Sequence, residues 1–158
     1  MAVSPARTRA LAVAGAVGAA LVGGLGTDPG SPWYRSLAKP SWQPPPLAFP
    51  LVWTPLYALI GYGTGQLVEA EPDPEQRRRL TALVAADLAA NAGWCWLFFR
   101  GRSPGRGLAG ILVLDALNLE LWRQAARRDT KAAAALSPYV AWSLFATALN
   151  AEIWRRNR

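Results

Sequence analysis

Five apolar stretches, each close to the ~20 residues an α-helix needs to cross a ~30 Å hydrocarbon core, are separated in this chain by short segments dense in Pro, Gly and Arg. No water reaches backbone N–H and C=O groups in such a core, so runs of this length satisfy themselves as helices. They read as helices over residues 9–26, 47–68, 80–99, 107–126 and 132–154, within a single domain over 1–158. The expected fold class is an all-α membrane protein, a bundle of five transmembrane helices. The connections EAEPDPEQRRR, RGRSPGRG and RQAARRDTK carry too much charge and too many helix breakers to enter lipid. Their shortness predicts that sequential helices pack as antiparallel neighbours. The first run is longer than the roughly 7–15 apolar residues of a signal-peptide core, so it reads as helix one. Pro55 is expected in the first turns of helix two, where a missing N–H costs little.

Composition supports lipid as the solvent. Hydrophobic residues make up 52% of the chain and charged ones 17%, and the 17 Lys and Arg against 10 Asp and Glu stand at the edges of the apolar runs. Basic flanks of this kind mark headgroup boundaries, and no basic stripe runs through a polar domain, so nucleic acid is not an expected partner. The cationic flanks divide evenly between the two ends of the bundle, which leaves orientation unassigned. Abundant Ala, Arg and Gly suggest a bacterial cell membrane. The chain has no His and one cysteine, Cys95. An internal disulfide, a His-ligated metal site and a His-based triad are therefore excluded, and no metal site is expected. Cys95 reads as a small packed residue.

The connection over residues 27–46, TDPGSPWYRSLAKPSWQPPP, differs from the others. It is long, Pro-rich and aromatic, and its prolines restrict the backbone. It is expected to fold back as a lid over one end of the bundle, with a headgroup-embedded aromatic loop as the alternative.

Within and after this loop stand Trp33-Tyr34, Leu37, Lys39-Pro40, Trp42, Pro44-Pro45, Phe49 and Trp53-Thr54-Pro55-Leu56-Tyr57. Helix three carries Asn91, Trp94 and Phe98-Phe99. Helix five carries Pro138-Tyr139-Val140-Ala141-Trp142, Phe145-Ala146, Leu149-Asn150, Trp154 and Asn157. These three motifs, in this order and covering most of the chain after residue 30, resemble the TspO/MBR family of tryptophan-rich sensory and translocator proteins. Two positions depart from the family pattern: Asp87 replaces a common glutamine, and Leu47 a frequent tryptophan. The segment LNAEIWRR lacks the tyrosine of the sterol-recognition pattern found in some animal relatives.

Helical spacing places Trp142, Ala146 and Asn150 on one stripe, Asp87, Asn91 and Trp94 on another, and Trp53 one turn from Tyr57. Tryptophan, tyrosine and amide side chains inside a bundle offer flat apolar walls with a few directed hydrogen bonds, which suit a planar aromatic ligand. Packing between helices is the alternative for Trp53, Asn91 and Trp142. Trp96, Trp122 and Trp154 read as interfacial belt residues. Asp87 and Asp115 lie mid-span, where a carboxylate must face the interior.

The resemblance implies a pocket for a tetrapyrrole, porphyrin or haem, bound as a ligand with no tightly held cofactor. The expected ligand-binding residues are Trp33, Arg35, Lys39, Trp42, Trp53, Tyr57, Asp87, Asn91, Trp94, Trp142, Phe145 and Ala146. Arg35 and Lys39 of the lid are the expected partners of the propionates. The resemblance also implies a homodimer, placed on the small-residue face Ala82, Ala86, Ala90 and Gly93 of helix three. Sensing or transport of bound pigment is the leading expectation. The alternative is an enzyme that degrades porphyrin with light and oxygen, Trp53 and Trp142 taking up oxidising equivalents.

Overall fold

The computed structural model describes residues 4–158, and every regular element among them is helical. The long helices are α1 (Pro5–Gly26), α3 (Ala48–Glu69), α4 (Pro74–Cys95), α5 (Pro104–Arg128) and α6 (Thr130–Arg156); a short α2 (Pro32–Ser36) lies in the first connection. A wide π-helical turn, Trp96–Arg100, extends α4, closed by the Gly101 N–H donating to Trp96 O at 2.7 Å.

Four of the long helices, α1, α4, α5 and α6, begin earlier than the apolar runs do. Ser4-Pro5, Ser31-Pro32, Asp73-Pro74 and Ser103-Pro104 each set a capping side chain before a proline at the first helical position. The cap oxygen accepts an N–H that would otherwise be orphaned, and the proline has no N–H to satisfy. Asp129 caps α6 in the same way, accepting from the N–H groups of Lys131 and Ala132. Segments that read as turns by their Pro and charge are thus the first turns of helices. Pro55 corrects the expectation in the other direction. It lies in the interior of α3, which continues through it, as helices flanked by other helices allow. Leu51 O loses its partner there, and nearby Thr54 Oγ1 donates to Pro50 O at 2.8 Å.

Packing departs from simple sequential pairing. α5 lies along α6, but α3 packs chiefly on α1 and α6, and α4 on α1 and α5. Thus α1 stands between the consecutive helices α3 and α4. Small residues allow this insertion: Ala16, Ala19, Gly23 and Gly26 form the buried side of α1, and a Cβ on Gly61 of α3 would lie 3.1 Å from the Val13 backbone. Ile60, Leu67, Leu121, Leu136 and Tyr139 fill the centre.

The outside is aliphatic. Leu11, Val17, Leu21 and Leu25 of α1, Leu51 of α3, Leu112 and Val113 of α5, and Leu144 of α6 are exposed, a band that water would not favour. By length and hydropathy α1, α4 with its π turn, and α6 are long and apolar enough to cross a membrane. α3 and α5 are comparably long, but Trp53, Tyr57 and Tyr62 in the one and Asp115, Asn118 and Glu120 in the other lower their hydropathy.

Gly63 faces α6 where a Cβ would sit 2.9 Å from Cγ of the fully buried Leu136 and 3.2 Å from Ala132 O, whereas a Cβ on Gly18 meets nothing within 4 Å. Gly63→Ala is expected to destabilise the bundle by about 1–3 kcal/mol through overpacking, read as a lower thermal midpoint in detergent. Gly18→Ala, which gains helix propensity in open space, is expected to show no loss.

Candidate functional site

Four side chains from three helices form a continuous hydrogen-bond chain through the interior. Tyr57 Oη on α3 donates to Asn91 Oδ1 on α4 at 2.8 Å, and Asn91 Nδ2 donates to Tyr139 Oη on α6 at 2.9 Å. Tyr139 Oη in turn donates to Asp87 Oδ2 at 3.1 Å. Asp87, Asn91 and Tyr139 are buried. The 3.6-residue repeat explains the geometry on α4, since Asp87 and Asn91 lie one turn apart on a shared face.

Aromatic walls flank this chain. The Trp53 ring stacks on Tyr57 with centroids 5.3 Å apart and meets Tyr139 edge-on at 6.2 Å. Trp142 packs against Phe145 at 5.2 Å and Phe49 at 6.1 Å, and Trp42 reaches Phe145 from the lid at 5.9 Å. Trp94 stacks on Phe98 at 5.4 Å. Its indole N–H donates to Asn150 Oδ1 at 3.1 Å, and Asn150 Nδ2 donates to Pro104 O at 2.8 Å. Gly107 permits that junction, because a Cβ there would collide with Phe98 and Asn150.

The connection over 27–47 lies across the end of the bundle where α1, α4 and α6 finish. Trp33 and Tyr34 of α2 rest edge-on against Phe98 at 5.6 and 6.2 Å, and Tyr34 also packs on Phe99. Asn157 ties the segment to the end of α6: its Oδ1 accepts from Ala38 N–H at 2.9 Å and its Nδ2 donates to Ala38 O at 3.0 Å. Lys39 is turned inward to the lid's own backbone. Its Nζ donates to Tyr34 O and to Leu37 O and lies 4.5 Å above the Tyr34 ring. Partial burial pushes the Lys39 ammonium below its usual range and the Tyr34 phenol above its own.

The sequence-predicted residues therefore fall into groups. Trp53, Tyr57, Asp87 and Asn91 come together around Tyr139. Trp142, Phe145 and Trp42 form a second cluster with Phe49, and Trp94 and Trp33 a third around Phe98. Ala146 is partly buried beside Trp142 on the same helix. Arg35 is exposed on α2, and Lys39 spends its donors on helix-end carbonyls rather than pointing at the bundle. Tyr139, Phe49 and Asn150 belong to these clusters but were not singled out as ligand-binding. Tyr139 was within reach of sequence reasoning, since it precedes Trp142 by three residues and so shares its face. Asp115 is held by α6, its two oxygens accepting from Ser143 and Thr147 Oγ1.

Trp96, Trp122 and Trp154 are partly exposed near helix ends. Trp96 does more than line a surface, since its indole N–H donates to Val22 O of α1 at 3.0 Å. On α4, Ala82 and Ala86 are exposed, while Ala90 and Gly93 are partly covered. A separate apolar groove of about 370 Å³ runs outside the bundle between α1 and α3, lined by Val13, Val17, Leu21, Thr54 and Tyr57 among others. Tyr57 thus borders this groove while its hydroxyl joins the buried chain.

Comparison with known proteins bears on this arrangement. The sequence model of the TspO/MBR family matches residues 10–155. A Translocator protein from Ovis aries is 36% identical over 156 residues, covering 90% of each chain. A Tryptophan-rich protein TspO from Chlorobaculum tepidum is 34% identical over 129 residues, covering 82% of each. The Tryptophan-rich sensory protein of Cereibacter sphaeroides is 34% identical over 125 residues, covering 79% of this chain and 77% of its own.

The paired Asn157 contacts hold residue 38 to α6, so Asn157→Ala is expected to loosen the lid while leaving the helices folded. Limited proteolysis in detergent should then cut within residues 27–46 several-fold faster than in the parent protein, with helical circular dichroism unchanged. Equal cleavage rates would remove Asn157 as the tether.

Proposed function

The chain belongs to the TspO/MBR family and is an integral membrane protein, and we propose that it spans the bilayer with all five long helices and binds a tetrapyrrole, porphyrin or haem, between them for sensing or transport. The five-span topology is supported by the aliphatic exposure of α3 and α5, whose Leu51, Leu112 and Val113 match the outward residues of the three more apolar helices. The polar and aromatic groups that lower the hydropathy of these two helices face inward in part, with Asp115 and Asn118 buried and Trp53 and Tyr57 packed against the core.

The observation that carries the ligand reading is the convergence of Trp53, Tyr57, Asn91 and Tyr139 from three helices, with Trp142 beside them on α6. Large rings supply flat surfaces to a macrocycle, and fixed amide and phenol groups orient it. Charge favours entry from the lid end. Arg35, Lys39, Arg100, Arg102, Arg106, Arg155, Arg156 and Arg158 gather there against Asp28 and Glu152, an excess that attracts a dianionic ligand. Exposed Arg35 is the freer propionate partner, while Lys39 shapes the lid.

The names of the relatives, translocator and sensory protein, are compatible with either a carried or a sensed ligand. Titration of the purified protein with protoporphyrin IX is expected to quench tryptophan fluorescence saturably, and Trp142→Ala to weaken affinity about tenfold, the loss of roughly 1.4 kcal/mol of ring contact. Non-saturable quenching, or equal affinity in Trp142→Ala, Trp53→Ala and the parent, would contradict the assignment.

We further propose that a second copy of the chain packs on α4, where Ala82 and Ala86 are exposed and small enough for close helix approach. Ala86→Leu is expected to reduce the crosslinked dimer in detergent several-fold; an undiminished dimer would rule out this face.

A further inference from the structure

Two carboxylates lie inside the bundle, and the sequence places no cation with them. No Lys, Arg or His occurs within residues 40–76, 80–99, 107–122 or 132–154. An ionised carboxylate without a cation is costly at such a site. The two are not equivalent. Each oxygen of Asp115 accepts from its own hydroxyl, Ser143 on one side and Thr147 on the other. Asp87 has one donor, Tyr139, on Oδ2; its Oδ1 is buried and has no hydrogen-bond partner among the described residues.

A second orphan lies at the same depth. Both side-chain polar atoms of Asn118 on α5 are buried without partners among the described residues, and the residue is 1% exposed. Buried amides left in this condition are rare, and an internal water is the usual remedy. The register of the helices gives the level of Asn118 in the bundle. α4 and α5 run antiparallel, with Gly107 against Phe98 and Gly110 against Leu97 and Trp94. Continuing that register brings Asn118 level with Asp87. On the other side, Asp115 meets Ser143, and Trp122 donates to Ser137, which brings Asn118 level with Tyr139.

We propose that Asp87, Tyr139 and Asn118 form a buried proton-binding site, in which Asp87 is a neutral carboxyl with its proton on Oδ1, linked to the Asn118 amide through one internal water. A proton on Oδ1 converts an orphaned acceptor into a donor, and Asn118 Oδ1 supplies the acceptor that a bridging water needs. Oδ2 then remains the carbonyl oxygen that accepts from Tyr139. The titratable groups around the site are Tyr57 from α3, Tyr139 from α6, Asp115 from α5 and Cys95 two turns along α4; none of these is cationic. The chain through Asn91 and Tyr57 connects the site to the aromatic walls, so a ligand that shifts Tyr57 reaches the proton through three hydrogen bonds.

The site can be tested on pigment-free protein, which keeps it separate from the ligand assignment. Infrared spectra near neutral pH are expected to show the C=O stretching band of a protonated carboxyl. That band should be lost in Asp87→Asn, kept in Asp115→Asn, and moved to higher frequency in Asn118→Leu, where its hydrogen bond weakens. Asp87→Glu, which retains a carboxyl, should keep a band at a shifted position and guards against misfolding of the amide variant; thermal midpoints check each protein. Absence of the band in the parent protein, its survival in Asp87→Asn, or an unmoved band in Asn118→Leu would each overturn the proposal.

Discussion

A hydrogen bond between side chains on helices that do not pack closely is the constraint on which the interior depends. α1 inserts between α3 and α4, so the Tyr57 hydroxyl must reach Asn91 across the space beside α1. Each group along Tyr57, Asn91, Tyr139 and Asp87 is donor to the next, and removing one leaves a buried neighbour unpaired. This chain fixes the rotamers of the tyrosines. Those rotamers in turn set the Trp53 ring against Tyr57 and Tyr139.

Lid and bundle are coupled by the same logic at smaller scale. Phe98 receives Trp33 and Tyr34 from the lid on one side and stacks on Trp94 on the other, and Trp94 is held by Asn150. Movement of the lid therefore acts on an aromatic stack that extends to α6. The π turn at Trp96–Arg100 ends α4 at this point, and wide turns of that kind occur often where function demands local geometry. Trp96 and Arg100 on it donate to backbone carbonyls of Val22 and Leu25 near the end of α1, so the ends of α1 and α4 are tied together beside the lid.

Polar residues inside a membrane bundle serve packing and chemistry at once. Asp115 is accounted for by two hydroxyls and joins α5 to α6. Asp87 is only half accounted for among the described residues, with Oδ1 buried and unpartnered. A residue of this kind is where a structural reading passes into a functional one, because its unmet hydrogen-bonding capacity must be answered by a proton, water or ligand.

The sequence by itself determined the solvent, the helical class and the identity of the aromatic and amide motifs. Apolar run length and the 3.6-residue repeat are local properties, so the shared faces of Asp87 and Asn91, and of Trp53 and Tyr57, were legible from spacing alone. Helix starts are legible only in part, because Ser-Pro and Asp-Pro carry the same letters in a turn and in a cap, and Pro55, expected in the first turns, lies in the interior of α3. Only the tertiary structure decided the insertion of α1 between α3 and α4, the choice of Tyr139 as the centre of the buried chain, and the commitment of Lys39 to the lid backbone. The physical reason is that each of these is a choice of partner between residues distant in the chain, set by which small residues allow close approach and which donors remain unpaired, and no local spacing encodes it.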